Sequence, residues 1–386
     1  MSEQESYLNI PKVGLVLTGG GARAAYQVGV LRAIVDMLPD AAHNPFPVIC
    51  GTSAGAINAT GIAVSANCFY EGVRQLEAVW TNFHVDQVHR ADFLGVLNNT
   101  GRCVGSMFSS EVGKQKAVSL LDNAPLKKLI GHRFPFRAIQ KCIRKGKLQA
   151  LGLTAWGYSS GQSVTFYQAS EDVKPWKRAQ RVGVASRIGV HHLMASSAIP
   201  FIFPAVKINR EYFGDGSMRQ LAPISPALHL GAEKILIIGV QKIRDATPER
   251  VKVTGYPPFA QIAGHAINSI FVDSLEVDLE RLYRINATLK LIPPETFRKN
   301  NITLRPIEAM MISPSEEINQ IALQYAQALP TLMRSLYRLV GAMGPNGSTM
   351  LSYVLFEAPF CQALIGLGYR DAMRQKYEIL QFIGIE

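Results

Sequence analysis

Short uninterrupted apolar runs alternate with amphipathic stretches through the first 240 residues. VGLVLT, 13–18, is a strand-length run ended by glycines, the pattern of a strand buried on both faces. From Ala24 to Leu38, apolar Tyr26, Val30, Ile34 and Met37 recur at steps of three and four, which predicts an amphipathic helix closed by Pro39. PFPVICG, 45–51, reads as the next strand, and AGAINATGIAVSA, 54–66, as a small-residue helix packed tightly in the middle of the fold. Residues 80–150 break the rhythm. They are mixed, punctuated by Gly and Asn, and increasingly basic, and they predict short helices forming a cap. ALGLTAWGY and QSVTFYQAS, joined by SSG, predict a hairpin. A helical segment then runs into ASSAIPFIFPAVKI, REYFGDGSMRQLAPISPAL follows, and KILIIGVQ, 234–241, is another buried strand.

Past residue 241 the pattern loosens. Residues 243–258 read as loop, 261–290 as a long helix, 303–315 as one more strand and 316–340 as helical again. GPNGS, 344–348, marks a turn before the final helices. Strands alternating with helices predict an α/β protein with a mainly parallel central sheet sandwiched by helices. The boundary falls near 240. Residues 13–240 are expected to form the principal domain, with the cap inserted at about 80–150, and 241–386 a mainly helical region packed on it or extending it.

Composition narrows the setting. The chain has 386 residues, 48% hydrophobic and 18% charged, a globular balance with material for a substantial core. Its start, MSEQESYLNI, is acidic and polar, unlike a secretory signal, and no apolar run approaches the roughly 18 residues of a membrane span. The five cysteines, Cys50, Cys68, Cys103, Cys142 and Cys361, are odd in number, scattered and without a CxxC pair. They predict a reducing compartment, the cytoplasm, with neither a disulfide frame nor a zinc site.

The net charge of +11 is unevenly spread. Lys127, Lys128, Arg133, Arg137, Lys141, Arg144, Lys145 and Lys147 fall within 124–150, where no Asp or Glu occurs. Lys174, Lys177, Arg178, Arg181 and Arg187 form a second group. The bland account is a solvated face. The functional one is peripheral contact with an anionic membrane surface, at its inner face for a cytoplasmic protein, with Phe134, Phe136, Ile139 and Ile143 as an apolar edge, although residues at helical spacing are more often core. Nucleic acid is not the expected partner, because no recognised binding module accompanies the charge. Oligomeric state is open.

Two glycine-rich turns carry the chemistry. Gly19, Gly20 and Gly21 end the first strand where a helix begins, so bare backbone N–H groups and the helix dipole can hold an anion there. A dinucleotide fingerprint is nearly matched, but Gly51-Thr52-Ser53 stands where the ribose-binding acid belongs; a P-loop would need GK[ST], which is absent. An oxyanion hole remains, against a plain tight turn. Gly51-Thr52-Ser53-Ala54-Gly55 then reads as G-x-S-x-G, a nucleophile elbow in the strand–turn–helix setting it requires. A serine needs a base. Asp215, followed by His229 or His265, offers a Ser–His–Asp scheme, although the local context of each histidine favours a structural role. Alternatively Asp215, between Gly214 and Gly216, serves as the base directly if it is desolvated beside Ser53.

GGGAR at 19–23, GTSAG at 51–55 and GDGS at 214–217, in that order and with ASSAIPFIFP before the third, resemble the patatin-like phospholipases. The resemblance covers residues 13 to about 240. It implies a patatin-like α/β fold whose catalytic domain is 13–240 and a carboxylic ester hydrolase acting on acyl esters of lipids. It further implies a Ser53–Asp215 dyad and no cofactor or metal. Gly19, Gly20, Gly21, Ala22 and Arg23 would be the oxyanion loop, Gly51 and Gly55 the elbow, and Gly216 and Ser217 the Asp–Gly motif. Ala24 and Ser217 depart from the family's usual glycine and its DGA or DGG, small changes that bear on substrate range. A scaffold that keeps this fold without turnover is the alternative from another class.

Overall fold

Five buried residues, Val13–Leu17, form strand β1, and both of its neighbours run parallel to it. The computed structural model describes residues 11–88, 119, 121–200, 202–243, 261–262, 264, 273–293, 296, 304–339, 341–344 and 347–385. A short 3-10 turn, Gly21–Ala24, leads into α1, Ala25–Met37, which ends before Pro39 as its pattern predicts. Then come β2, Val48–Thr52, and three helices: α2, Ala54–Val64; α3, Phe69–Trp80; and α4, Val85–Val88. Within the expected cap, α5 spans Ala124–Arg133 and α6 spans Arg137–Arg144; residues 89–118 of that cap lie outside the described residues.

The predicted hairpin is β3, Ala150–Gly157, paired antiparallel with β4, Ser163–Ala169. Beyond it the reading of one helical segment is corrected. Trp176–Arg178 and Arg181–Ala185 are strands, β5 and β6, and only Val190–Ser196 is helical, as α7. Their physical signature is that of an edge. Lys177 and Arg178 are exposed, Gln180 turns the chain at φ 57°, and the second basic group thus decorates the rim of the sheet, where charge opposes pairing with another chain. After β7, Val206–Ile208, comes β8, Glu211–Asp215, whose last residue is the candidate aspartate. Helix α8, Ser225–His229, and strand β9, Lys234–Ile238, complete the first 240 residues.

Helix α9, Asp273–Lys290, falls in the predicted long helix, and β10, Glu308–Ile312, is the extra strand anticipated in 303–315. The stretch 316–340 splits into α10, Ile318–Gln324, and α11, Thr331–Leu339, with Pro330 between them. Two further helices, α12, Ser348–Val354, and α13, Ala358–Arg374, precede α14, Lys376–Ile383.

The sheet runs β10-β9-β1-β2-β3-β4-β6-β5, with β8 against the end of β3 and β7 against β8. It is parallel from β10 to β3, as expected of buried apolar strands. Beyond β3 it is mixed: β4 turns antiparallel, β6 runs parallel to β4, and β5 pairs antiparallel with β6. The C-terminal region is part of this architecture. Strand β10 extends the sheet beside β9, and α13 packs along α1, where the Tyr26 hydroxyl donates to Asp371 Oδ2 at 3.1 Å. No single helix among the described residues is long and apolar enough to cross a membrane. The bent pair α12–α13 passes by length and composition alone, with 96° between its halves and Leu351, Phe360, Leu364 and Leu367 buried in the core.

Candidate active site

The C-terminal ends of β1, β2 and β3 point to one side, and the chain's two glycine-rich turns meet there. Between β2 and α2, Ser53 takes φ 54° and ψ −128°, a strained conformation for a residue with a Cβ. The flanking glycines follow from packing. A Cβ on Gly51 would strike the Gly55 carbonyl, and one on Gly55 would strike the Leu17 and Thr18 carbonyls, all rigid backbone. The turn therefore closes only with glycine at both positions, and it lifts the Ser53 hydroxyl off the end of the sheet.

Strand β8 supplies the partner. Pairing of Asp215 with Ala155 carries the carboxylate to the end of β3, and Ser53 Oγ donates to Asp215 Oδ2 at 2.6 Å. Oδ1 accepts from the Ser217 amide at 2.9 Å. Asp215 is 1% exposed, and burial pushes its pKa up to about 6, with the hydrogen bonds from Ser53 and Ser217 pulling the other way. A Cβ on Gly216 would strike the Thr154 carbonyl, so this glycine too is set by close approach. A hydroxyl held this way can pass its proton to the carboxylate, which stays ionised above about pH 6.

Gly21 of the first turn lines the same cavity as Ser53. The amides of Gly19, Gly20, Gly21 and Ala22 donate to no acceptor among the described residues, while the Arg23 amide closes on the Gly20 carbonyl at 3.1 Å. A buried network holds the turn. Gln27 Nε2 donates to the Thr18 carbonyl at 2.9 Å, Asn58 Nδ2 donates to the Ala24 carbonyl and to Gln27 Oε1, and Trp80 Nε1 donates to Asn58 Oδ1 at 2.8 Å. Arg23 itself points the other way. Its guanidinium is 2% exposed, donates to Ser352 Oγ at 2.7 and 2.9 Å and to Asn319 Oδ1 at 2.6 Å, and lies 3.9 Å from the centroid of Tyr353. Burial lowers its pKa. Of the five residues expected in the loop, Arg23 is thus an anchor that ties the turn to α10 and α12, and Gly21, at φ 55°, lies against the Tyr353 carbonyl.

Ser53 and Gly21 open into a narrow cavity of about 50 Å³, continuous with solvent at its mouth, whose walls are almost wholly apolar. Trp80, Phe83, Phe356, Leu126, Ile130 and Phe203 are among the residues that line it. Helix α5 forms one side and sets Arg133 at the lining. All eight basic residues of 124–150, namely Lys127, Lys128, Arg133, Arg137, Lys141, Arg144, Lys145 and Lys147, are exposed, and none pairs with a carboxylate among the described residues. Of the two readings of the apolar residues here, the core one holds for three. Phe134, Ile139 and Ile143 are buried, and Phe134 turns into the cavity wall.

The histidines lie elsewhere. His229 stacks on Trp176 at 4.8 Å, and burial lowers its pKa to about 4. Neither Ser53 nor Asp215 bonds to a histidine among the described residues; His265 falls outside them. No group of three or more metal-binding side chains occurs among the described residues. The sequence reading missed Ser196, whose hydroxyl accepts from the Ser53 amide at 2.9 Å and donates to the Thr154 carbonyl at 2.6 Å. Its only signal was the ASSAIP segment, noted as a resemblance and given no role.

Residues 15–228 match the patatin-like phospholipase family. A cGAMP-activated phospholipase from Pseudomonas aeruginosa is 26% identical over 215 residues, 56% of this chain and 55% of its own length. A cUMP-AMP-activated phospholipase from Escherichia coli is 44% identical over 80 residues, 21% of this chain and 23% of its own. The chain therefore spans about half or less of the length of these curated relatives. Human GIVD cytosolic phospholipase A2, solved with methyl gamma-linolenyl fluorophosphonate, aligns over 99% of this chain and 61% of its own at 12% identity and a TM-score of 0.44. VipD from Legionella pneumophila aligns over 97% and 75% at 11% identity and a TM-score of 0.33. With more than half of its length matched by the family, the chain belongs to the patatin-like phospholipases.

Proposed function

We propose that the chain hydrolyses fatty-acyl esters of lipids, in the manner of a phospholipase A or lysophospholipase, with Ser53 as nucleophile and Asp215 as general base. Ser53 Oγ attacks the acyl carbonyl carbon as its proton passes to Asp215. The carbonyl oxygen, now charged, rests on the amides of the Gly20–Gly21–Ala22 turn near the start of α1. The carbon–oxygen bond to the alcohol or lysolipid breaks, and that oxygen takes the proton back from Asp215. Water, deprotonated by Asp215, then attacks the acyl-enzyme, which frees the fatty acid and restores the Ser53 hydroxyl. The apolar cavity takes the acyl chain.

The observation that carries this reading is the 2.6 Å contact of the Ser53 hydroxyl with a buried carboxylate at the edge of an apolar cavity. The test is hydrolysis of acyl esters and phospholipids by the purified protein, run with and without cGAMP and cUMP-AMP, so that a latent enzyme is not scored as inert. Ser53→Ala and Asp215→Asn should each abolish turnover, and His229→Ala and His265→Ala should keep it. An Asp215→Asn enzyme with near-normal turnover refutes the dyad; an inactive His265→Ala enzyme that is folded restores the Ser–His–Asp scheme. Failure of a fluorophosphonate to label Ser53 favours the scaffold.

A second reading concerns where the substrate comes from. Helix α5 is both a wall of the cavity and a carrier of exposed, unpaired lysines and arginines. We propose that the α5–α6 face rests on an anionic lipid surface and leads lipid to the cavity mouth.

A further inference from the structure

Among the described residues lining the cavity, Ser197 is the one with a buried side-chain polar atom that has no hydrogen-bond partner. It is 7% exposed. Its backbone is fully engaged: the amide donates to the Leu193 carbonyl at 3.0 Å, and the carbonyl accepts from the Ile199 amide at 3.0 Å. Only the hydroxyl is uncommitted. The neighbours on either side tie this residue to the candidate dyad. Ser196 Oγ accepts from the Ser53 amide, and the Ala198 carbonyl accepts from the Asp215 amide at 2.9 Å. Ser197 is thus bracketed between the nucleophile and the carboxylate, and it lines the cavity in which Ser53 also sits.

A buried hydroxyl without a partner opposes folding, and in a site its natural explanation is a ligand atom. We propose that Ser197 is a further catalytic residue, whose hydroxyl donates a hydrogen bond to the alkoxy oxygen of the bound ester. The inference rests on the hydrolase reading above. An ester presents two oxygens. The carbonyl oxygen is met by the unpaired amides of the glycine turn, and Gly21 is the member of that turn lining the cavity. The alkoxy oxygen needs a second donor. Of the remaining lining groups, Ser53 is bonded to Asp215, Trp80 Nε1 to Asn58, and Arg133 is exposed, so Ser197 is the buried donor left uncommitted. As the acyl–oxygen bond breaks, negative charge builds on the alkoxy oxygen; Ser197 steadies it while keeping its own proton, and the proton that completes the alcohol comes from Asp215.

Leaving-group dependence tests this. Ser197→Ala is compared with wild type on two esters of one acyl chain, a p-nitrophenyl ester and an alkyl ester, through kcat/KM, which reports acylation. Loss of a hydrogen bond to a developing alkoxide should lower kcat/KM by roughly 10–100-fold for the alkyl ester and by less than about 3-fold for the p-nitrophenyl ester, whose leaving anion needs little help. Ser197→Thr, which keeps a hydroxyl, should recover part of the alkyl-ester rate. Labelling of Ser53 by a fluorophosphonate, which expels fluoride, should be nearly unchanged in Ser197→Ala. The thermal midpoint should hold or rise, because alanine leaves no orphaned group. Equal losses on both esters, or a lower thermal midpoint with parallel losses, overturn the inference and make Ser197 a packing residue. A wild type inert towards both esters, with or without cyclic dinucleotide, overturns the hydrolase reading and this inference with it.

Discussion

Replacing Asp215 with asparagine should stabilise the protein as it inactivates it. The carboxylate is 1% exposed, and burial lifts its pKa from 3.8 to about 6. That lift is a preference of about 3 kcal/mol for the protonated form in the folded state, at about 1.36 kcal/mol per pKa unit. The sign follows from proton binding. Between about pH 4 and pH 6 the native state holds more protons at this site than the unfolded chain, so stability falls as pH rises through that window and the full cost stands above it. Asparagine is neutral at every pH and can keep both contacts, its Oδ1 accepting from the Ser217 amide and its Nδ2 donating to the Ser53 hydroxyl. The variant should therefore exceed wild type by up to about 3 kcal/mol at pH 8 and by little at pH 4. With an unfolding entropy of about 2.1 cal/mol/K per residue, that gain raises the midpoint by about 4 °C for a chain of this size. Thermal scans of both proteins from pH 4 to pH 8, beside ester hydrolysis at pH 8, make the measurement. A variant less stable at pH 8, or a difference that does not change with pH, refutes the reasoning.

On the proposed mechanism the same titration should govern the rate. In wild type, kcat/KM should rise with pH through about 6 and level off, since only ionised Asp215 accepts the proton of Ser53; a profile flat from pH 5 to pH 8 contradicts a carboxylate base. Arg23→Met keeps the buried stem but removes the donors to Ser352 and Asn319. It should cost about 1–3 kcal/mol, since Asn319 Oδ1 keeps the Ser352 hydroxyl as a donor, and it should lower kcat more than it raises KM, because the glycine turn loses its hold; calorimetry and steady-state kinetics on one preparation separate the two effects. Reversing Lys127, Lys128, Lys141 and Arg144 to glutamate should abolish binding to anionic vesicles while short soluble esters are still cleaved, and wild-type binding should weaken as salt rises. Vesicle pelleting indifferent to both salt and these reversals removes the membrane reading.

The parts of the fold legible in the sequence are those whose cause is local. Strands β1, β2 and β9 are buried on both faces and so read as plain apolar runs, and α1 shows its buried stripe at helical spacing. The elements missed are those whose cause is distant or whose burial is slight. Strands β5 and β6 are short, charged and half-exposed, so they carry no alternation to read. Phe134, Ile139 and Ile143 showed the spacing of a helix face, but nothing in that spacing says whether the face meets lipid or core. The candidate site divides in the same way. Glycines around Ser53 and Asp215 were visible because close backbone approach leaves a mark in residue type. The task of Arg23 was not, since its partner Ser352 lies 329 residues away and on elements that no motif marks. Ser196 and Ser197 were equally hidden, for serine beside serine carries no pattern until the nucleophile turn is folded against it.

What unites the site is that several of its features oppose folding. Ser53 holds a positive φ, which costs of order 1–3 kcal/mol. Asp215 is a carboxylate in a dry place, the glycine turn leaves its amides unpaired, and the Ser197 hydroxyl has no partner. Such terms accumulate only where the surrounding structure over-determines them. Here β10, α10, α12 and α13 do so from the C-terminal half, by extending the sheet and by gripping Arg23 and Tyr26. On the proposed mechanism each unpaired group would meet a counterpart in one ester: the amides the carbonyl oxygen, Ser197 the alkoxy oxygen, and the apolar walls the chain. On that reading the C-terminal region would serve catalysis indirectly, by holding in place groups that the fold alone leaves unanswered.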